Sequence, residues 1–293
     1  MAPAKFQKIG IVIKHRIEEA NNLAQELAAY FQEKKLKVYF ASEAKDVCTL
    51  AMGVECATKE DLIKNCDLLV VLGGDGTFIS AARRMVERSI PILGINMGTL
   101  GFLTEVRKTE AKKILDEVLA GKYKVSERIM LESTLIRSGK EISNVVVVND
   151  AVVHKAAIAR IIELEISING SVLTKMRGDG LIISTPSGST AYSLAAGGPA
   201  IEPTVPALVI SPICPHALSL RPLVIDDSSE IALTLKNGTE TILTWDGQTS
   251  VQLQEGDVIR IRKYGKHVLS VIQPKTSNYF DILREKLKYG VRE

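Results

Sequence analysis

The run Asp67-Leu68-Leu69-Val70-Val71-Leu72 constrains the fold of this chain more than any other segment. It is apolar at consecutive positions, so a strand built from it buries both faces. Such a strand needs cover above and below, which helices on the two faces of a parallel sheet supply. The neighbouring segments agree. Lys8-Ile9-Gly10-Ile11-Val12-Ile13 is a short β-branched run, and Ile17 to Lys35 carries Leu23, Leu27, Tyr30 and Phe31 at helical spacing. Val38 to Phe40 reads as a second strand, Phe78 to Val86 as a helix, Ile90 to Ile95 as a strand, and a helix follows near Glu110 to Ala120. Strands separated by helices predict a parallel sheet with right-handed crossovers.

After about Ser126 the periodicity changes. Ile162, Leu164, Ile166 and Ile168 alternate with Glu163, Glu165 and Ser167, as in a half-exposed strand. Asn169-Gly170 is a strong hairpin turn, and Asn237-Gly238 is expected to repeat it after Ile231-Ala232-Leu233-Thr234-Leu235. Val258 to Ile261 and Val268 to Ile272 add strands to what reads as a mainly antiparallel, layered β domain. Tyr279 to Leu287 is helical again and is expected to pack back on the first domain. A chain of 293 residues exceeds one ordinary core. The expected division is residues 1–125 (α/β), 126–275 (β-rich) and a helical tail, 276–293.

Charge excludes two classes of partner. Lys+Arg at 37 against Asp+Glu at 34 leave +3, with no block of like charge suited to nucleic acid or to a membrane surface. No apolar stretch approaches the roughly 18 residues of a bilayer span, and no export segment is visible. Cys48, Cys56, Cys66 and Cys214 show neither a C-x-x-C pair nor zinc-ligand spacing, so reduced buried thiols in a cytoplasmic protein are expected.

The chemistry begins where the apolar strand ends, at Gly73-Gly74-Asp75-Gly76-Thr77. A strand, a glycine loop and a helix N-terminus gather backbone N–H groups around an anion. The loop lacks the lysine of a P-loop, and its spacing is not the dinucleotide fingerprint. Asp75 repels phosphate and needs another reason to be there. It can coordinate a Mg²⁺ that carries phosphates, or accept a proton from an attacking hydroxyl. The competing reading is a tight turn with Asp75 capping the next helix. A second glycine cluster, Asn96-Met97-Gly98-Thr99-Leu100-Gly101-Phe102, follows the next strand and would share the same crevice.

In the second half, Asp179 to Tyr192 runs on to Gly197-Gly198-Pro199, an apolar strand entering a stretch of hydroxyls and glycines. Hydroxyls and free amides suit ribose and phosphate oxygens, and Tyr192 can lie against a flat base. Asn149-Asp150 closes Val145 to Val148 and can hold a ribose diol or a base edge, or form an Asx turn. Arg177 can meet a phosphate or a surface acid, and Asp246-Gly247-Gln248 after Trp245 reads as a turn.

Together these segments resemble the NAD kinase family. The matching runs are Gly73 to Thr77, Leu100-Gly101-Phe102-Leu103-Thr104, Asn149-Asp150, Asp179 to Pro199, Pro212 to His216 with Arg221-Pro222-Leu223, and Asp246-Gly247-Gln248. The long Asp179–Pro199 run is the specific one, since Gly-Gly-Asp-Gly is shared with lipid kinases and phosphofructokinases. The resemblance implies a Rossmann-like open parallel sheet, a β-rich second domain and a homodimer or homotetramer. It implies transfer of the γ-phosphoryl group of ATP, or of phosphate from polyphosphate, to the 2′-hydroxyl of the adenosine ribose of NAD, with a divalent ion carried by the nucleotide. By the same resemblance Asp75 is the base, and Gly73, Gly74, Gly76 and Thr77 hold phosphate. Asp75 itself, Gly76, Phe102, Asn149, Asp150, Arg160, Arg177, Asp179, Thr190, Ala191, Tyr192, Ser193, Leu194, Ala195 and Gln248 line the dinucleotide pocket. Asp150 stands where many members carry Glu, Ser187 where many carry Thr, and Arg160 where some carry His. A lipid or sugar kinase and a non-catalytic dinucleotide sensor are the alternatives.

Overall fold

The computed structural model describes residues 6–14, 17–41, 53–85, 88–156 and 161–288. They divide into two compact units: one runs to Glu127 and resumes at Leu269, and the other is Arg128–Val268.

The first unit alternates β1 (Lys8–Ile13), α1 (Glu18–Glu33), β2 (Lys37–Ala41), β3 (Glu55–Ala57), α2 (Lys59–Asn65), β4 (Leu68–Gly73), α3 (Asp75–Ala82), β5 (Ile92–Asn96), β6 (Val106–Arg107), α4 (Ala111–Leu119) and β7 (Tyr123–Arg128). The sheet runs β3-β2-β1-β4-β5 with β6 beside β5, and these pairings are parallel. β4 is buried at all six positions because β1 and β5 flank it. α1 covers one face with Ala20, Ala24, Leu27, Ala28 and Phe31, the helical stripe expected from the sequence. The chain moves outward from β1 to β3 and then returns to the other side of β1. The strand order therefore reverses between β1 and β4, where ligands of open α/β sheets bind at the carboxyl ends. The glycine loop leaves β4 at that end.

The second unit contains β8 (Leu131–Arg137), β9 (Lys140–Val147), β10 (Asp150–Lys155), β11 (Ile162–Ile168), β12 (Ser171–Gly178), β13 (Gly180–Ser184), α5 (Tyr192–Ala195), β14 (Ala207–Ile213), β15 (Leu223–Asp226), β16 (Ile231–Asn237), β17 (Thr241–Trp245), β18 (Thr249–Gln252) and β19 (Val258–Lys263). Two six-stranded sheets form, in the orders β15-β14-β13-β10-β17-β18 and β12-β11-β16-β19-β8-β9. Their pairings are antiparallel. One apolar core lies between them, with Val153, Ile183 and Leu243 from the first sheet and Leu164, Leu233 and Ile261 from the second. This is the layered β domain read from the alternation of β11, which buries Ile162, Leu164 and Ile166.

Three expectations differ from the structure. Val268 to Ile272 does not extend the β sandwich: its strand, β20 (Leu269–Pro274), pairs in parallel with β5 through Val271 and Ile92. Apolar residues on both faces of β20 suit a doubly covered sheet, and α6 (Tyr279–Leu287) follows in the same unit. Asn237-Gly238 does not form a hairpin. β16 and β17 belong to opposite sheets, and a β-carbon on Gly238 would stand 2.5 Å from Thr241 Oγ1 and 2.9 Å from Ile162 Cγ2. Close packing, not a reversal of direction, requires glycine there. Asn169-Gly170 does join β11 to β12, with φ of 50° and 79°. Thirdly, among the described residues only Cys66 fits the expected buried thiol; Cys214 is free but exposed, and Cys56 is disulfide-bonded. Cys48 lies outside the described residues.

Candidate active site

In the first unit the site is built from two loops that leave adjacent strands. Gly73 of β4 is in register with Asn96 of β5, so the segments after them start at the same level. Gly74 is the N-cap of α3 and offers no side chain, which excludes the reading of Asp75 as that helix's cap. Instead the Asp75 carboxylate reaches across to the second loop. Phe102 N–H donates to Oδ2 at 2.9 Å, while Leu103 N–H, Thr104 N–H and the Thr104 hydroxyl donate to Oδ1 at 3.1, 3.1 and 2.9 Å. Donors around an ionised acceptor make the stronger class of hydrogen bond, roughly twice a neutral pair. A β-carbon at position 101 would overlap Asp75 Oδ1, so glycine is needed for the loop to close around the carboxylate.

Behind this cradle Asn96 donates from Nδ2 to Thr104 Oγ1 at 2.9 Å and accepts Gly98 N–H at Oδ1, 2.6 Å away. Asn96 and Thr104 are both buried. Thr77 is half-buried in the first turn of α3, Gly76 is exposed, and Phe102 is half-buried with its ring 6.5 Å from that of Tyr279. Among the described residues no group of three His, Cys, Asp or Glu side chains is placed to hold a metal ion. With two N–H donors and one O–H donor on Oδ1 and one N–H donor on Oδ2, Asp75 is held as a hydrogen-bond acceptor.

In the second unit Asn149 and Asp150 stand where the chain passes from β9 in one sheet to β10 in the other. Their backbone is tied on three sides. Asp246 accepts the N–H groups of Val148, Asn149 and Asp150 at 3.0, 2.6 and 3.2 Å. Asn149 C=O accepts Thr185 N–H at 2.8 Å, and the Thr185 hydroxyl donates to Val148 C=O at 2.7 Å. Gly188 lies so close to the Asn149 carbonyl that a β-carbon would overlap it. Asp246 and Gly247 both have positive φ, 52° and 62°, and turn β17 back into β18 beside this junction.

The electrostatics are unusual at Asp150. Burial, with Asp246 adding repulsion, pushes its carboxyl up to about 7. Among the described residues Asn149 Oδ1, next in the chain, and Ser184 Oγ, across the strand pair, are buried without hydrogen-bond partners, as is Trp245 Nε1 on the opposite, core-facing side of the sheet. Ser184 is the cross-strand partner of Asp150, and Trp245 that of Ala151. Unpaired buried polar atoms are rare in folded proteins.

The hydroxyl-rich run is mostly spent on itself. Ser189 Oγ donates to Pro186 C=O and accepts Ile201 N–H, Ser193 Oγ pairs with Ser211 Oγ at 2.8 Å, and Thr190 Oγ1 reaches Ser187 C=O at 3.3 Å. The run exposes Ala191, Tyr192, Ala195, Gly197 and Pro199, with Leu194 and Thr190 half-buried, and Gln248 is exposed on its turn. Asp179 is ion-paired to Lys155 Nζ at 2.8 Å, and Arg177 is exposed on β12. Both precede β13, whereas Asp150 pairs with Ser184 at its other end. Five strand residues, roughly 17 Å, separate the two groups within this unit. Arg160 lies outside the described residues.

Several contributors had no individual role legible in sequence. Asn96, Thr104, Thr185 and Asp246 lie in runs singled out there, but read as loop, strand-end or turn residues, and Lys155 carried no signal. Each acts through a partner distant in the chain, which periodicity does not report.

Comparison with known proteins gives the family. Residues 9–123 match the ATP-NAD kinase N-terminal domain and residues 148–273 the ATP-NAD kinase C-terminal domain. An NAD kinase of Geotalea daltonii is 43% identical over 291 residues, covering 98% of this chain and 100% of that protein. One of Magnetococcus marinus is 43% identical over 287 residues, covering 97% and 94%. Yeast NADH kinase complexed with NADH superposes with a TM-score of 0.91 at 27% identity, over 99% of this chain and 90% of that one. An NAD kinase from Archaeoglobus fulgidus in complex with ATP gives a TM-score of 0.76 at 24% identity over 96% and 99%, a likeness of fold. Both halves match in the family's order and relatives align end to end, so the chain belongs to the NAD kinase family.

Proposed function

We propose that the chain transfers the γ-phosphoryl group of ATP to the 2′-hydroxyl of the adenosine ribose of NAD, with Asp75 receiving the hydroxyl's proton. The single observation that supports this role is the set of donors around Asp75, which orients a carboxylate as an acceptor beside a glycine loop. In the step, the 2′-oxygen forms a bond to the γ-phosphorus and the bond from that phosphorus to the β,γ-bridging oxygen breaks. The electron pair leaves with ADP, and the hydroxyl proton passes to Asp75. A loose transition state asks more for positioning and charge neutralisation than for a strong base.

Gly73, Gly74, Gly76 and Thr77 form the phosphate loop, and Mg²⁺ enters with the donor as part of ATP. Phe102, Asn149, Asp150 and Gln248 bind the dinucleotide, with Tyr192 against a flat ring and Thr190, Ala191, Ser193, Leu194 and Ala195 as its platform. Arg160, Arg177 and Asp179 complete that set by family likeness. Polyphosphate as an alternative donor, a homodimer or homotetramer, and a cytoplasmic setting are part of the same proposal. Among the described residues no helix is long and apolar enough to cross a membrane.

The test is to incubate the purified protein with NAD, Mg²⁺ and either ATP or polyphosphate, and to assay NADP. Formation of NADP is expected, and its absence with both donors would sink the reading. Asp75→Asn is expected to keep NAD binding while lowering turnover by about 10² or more. Near-normal turnover in that variant would remove Asp75 from the proton's path. Sedimentation of the intact protein is expected to show a dimer or tetramer, and a monomer would refute that part.

A further inference from the structure

The two oxygens of Asp75 are not equivalent, and side chains outside the glycine loop make them so. Among the described residues Oδ1 receives three donors, from Leu103 N–H, Thr104 N–H and Thr104 O–H, whereas Phe102 N–H alone donates to Oδ2. The direction of the Thr104 hydroxyl follows from its neighbours. Gly98 N–H can only donate, so the Asn96 atom facing it is the oxygen, and Nδ2 faces Thr104. The Thr104 oxygen then accepts from Asn96 and has its single proton free for Asp75 Oδ1. A relay Asn96 N–H to Thr104 O–H to Asp75 Oδ1 results, in a buried setting where hydrogen bonds polarise one another.

From this network we infer that Thr104, oriented by Asn96, is a positioning residue that saturates Asp75 Oδ1 and leaves Oδ2 as the oxygen that accepts the substrate proton. The inference rests on the proton-acceptor role proposed for Asp75. A carboxylate oxygen with three donors has little acceptor capacity left, whereas one with a single donor retains it. Gly101 serves the same end, since any β-carbon there would push the carboxylate out of its cradle. Thr104 does not itself touch the reacting atoms. It acts by holding the rotation of the carboxylate, and small errors of placement at a reacting group cost rate far more than binding.

The test compares Thr104→Val, which keeps the shape and removes the hydroxyl, with Thr104→Ser, which keeps the hydroxyl. Thr104→Val is expected to lower kcat for NADP formation about tenfold while KM for NAD and for ATP stays within about twofold. Thr104→Ser is expected to retain kcat within about twofold. In an Asp75→Asn background Thr104→Val is expected to cause no further loss, because the two residues act as a unit. Unchanged kcat in Thr104→Val, failure of Ser to rescue, or multiplicative losses in the double variant overturns the inference. If Thr104→Val does not fold, Gly101→Ala perturbs the same oxygen from the other side, and wild-type kcat in that variant counts against the inference. A crystal structure of the Thr104→Val protein supplies a readout separate from activity. A turned Asp75 carboxylate is expected, and an unchanged one refutes the inference even where turnover has fallen. A wild-type protein that makes no NADP overturns the kinase reading itself, a result distinct from each of these.

Discussion

Asp75 is surrounded by donors, and that alters what its amide variant removes. An asparagine keeps a carbonyl oxygen for the three donors at Oδ1, but its NH₂ group then meets Phe102 N–H, donor against donor. The turnover lost in Asp75→Asn therefore includes a displaced side chain as well as a missing acceptor. Asp150 yields a separate prediction. Its carboxyl is raised from 3.8 to about 7 by burial first and Asp246 second. Between those values the folded state holds more protons than the unfolded one, so stability falls as pH rises from about 4 to 7 and then levels off. Asp150→Asn removes this dependence. The unfolding free energy from urea titration is expected to fall between about pH 5 and 8 more in the wild type than in the variant, by on the order of a few kcal/mol. Parallel curves for the two proteins would refute it. The raised carboxyl of Asp150 was not legible in sequence, because Asp150 and Asp246 stand far apart in the chain and meet only when β10 pairs with β17.

At the scale of elements, strands and helices with strong period were readable, and the short connections that build the site were not. β4 and α1 could be placed because nothing but burial on two faces or one explains their patterns. Asn169-Gly170 was readable as a turn because a two-residue reversal needs positive φ. Asn237-Gly238 has the same letters and a different cause, the contact with Thr241 and Ile162, which the local sequence does not contain. The β9–β10 junction is the element on which dinucleotide binding is expected to depend. Asp246→Ala frees three amides there, and a loss of about 2–4 kcal/mol is expected in urea unfolding, with weaker NAD binding by calorimetry. Gly188→Ala, which drives a methyl group into the Asn149 carbonyl, is expected to weaken NAD binding at least as much as it lowers stability. NAD affinity unchanged in both variants would show that the junction is structural only.

For the whole molecule, the prediction concerns ligand linkage. A dinucleotide that binds the folded chain alone raises its stability by about 2.7 kcal/mol at a hundredfold excess over Kd. A thermal shift with NAD is therefore expected in the wild type and equally in Asp75→Asn, since that variant loses turnover and not binding. Loss of the shift in Asp75→Asn would make Asp75 a binding residue. The amino-acid sequence determined by itself the two classes of architecture, the position of the glycine loop and the family, because burial patterns and contiguous motifs are local properties. Tertiary structure decided the rest. It returned β20 to the parallel sheet, put Asp246 beneath Asn149 and Asp150, and paired the Ser193 hydroxyl with that of Ser211 on β14. It also closed Phe102 to Thr104 around Asp75. Each of these is a hydrogen bond or a pairing between residues remote in the chain, whose partner is chosen by packing and leaves no mark in the local order of amino acids.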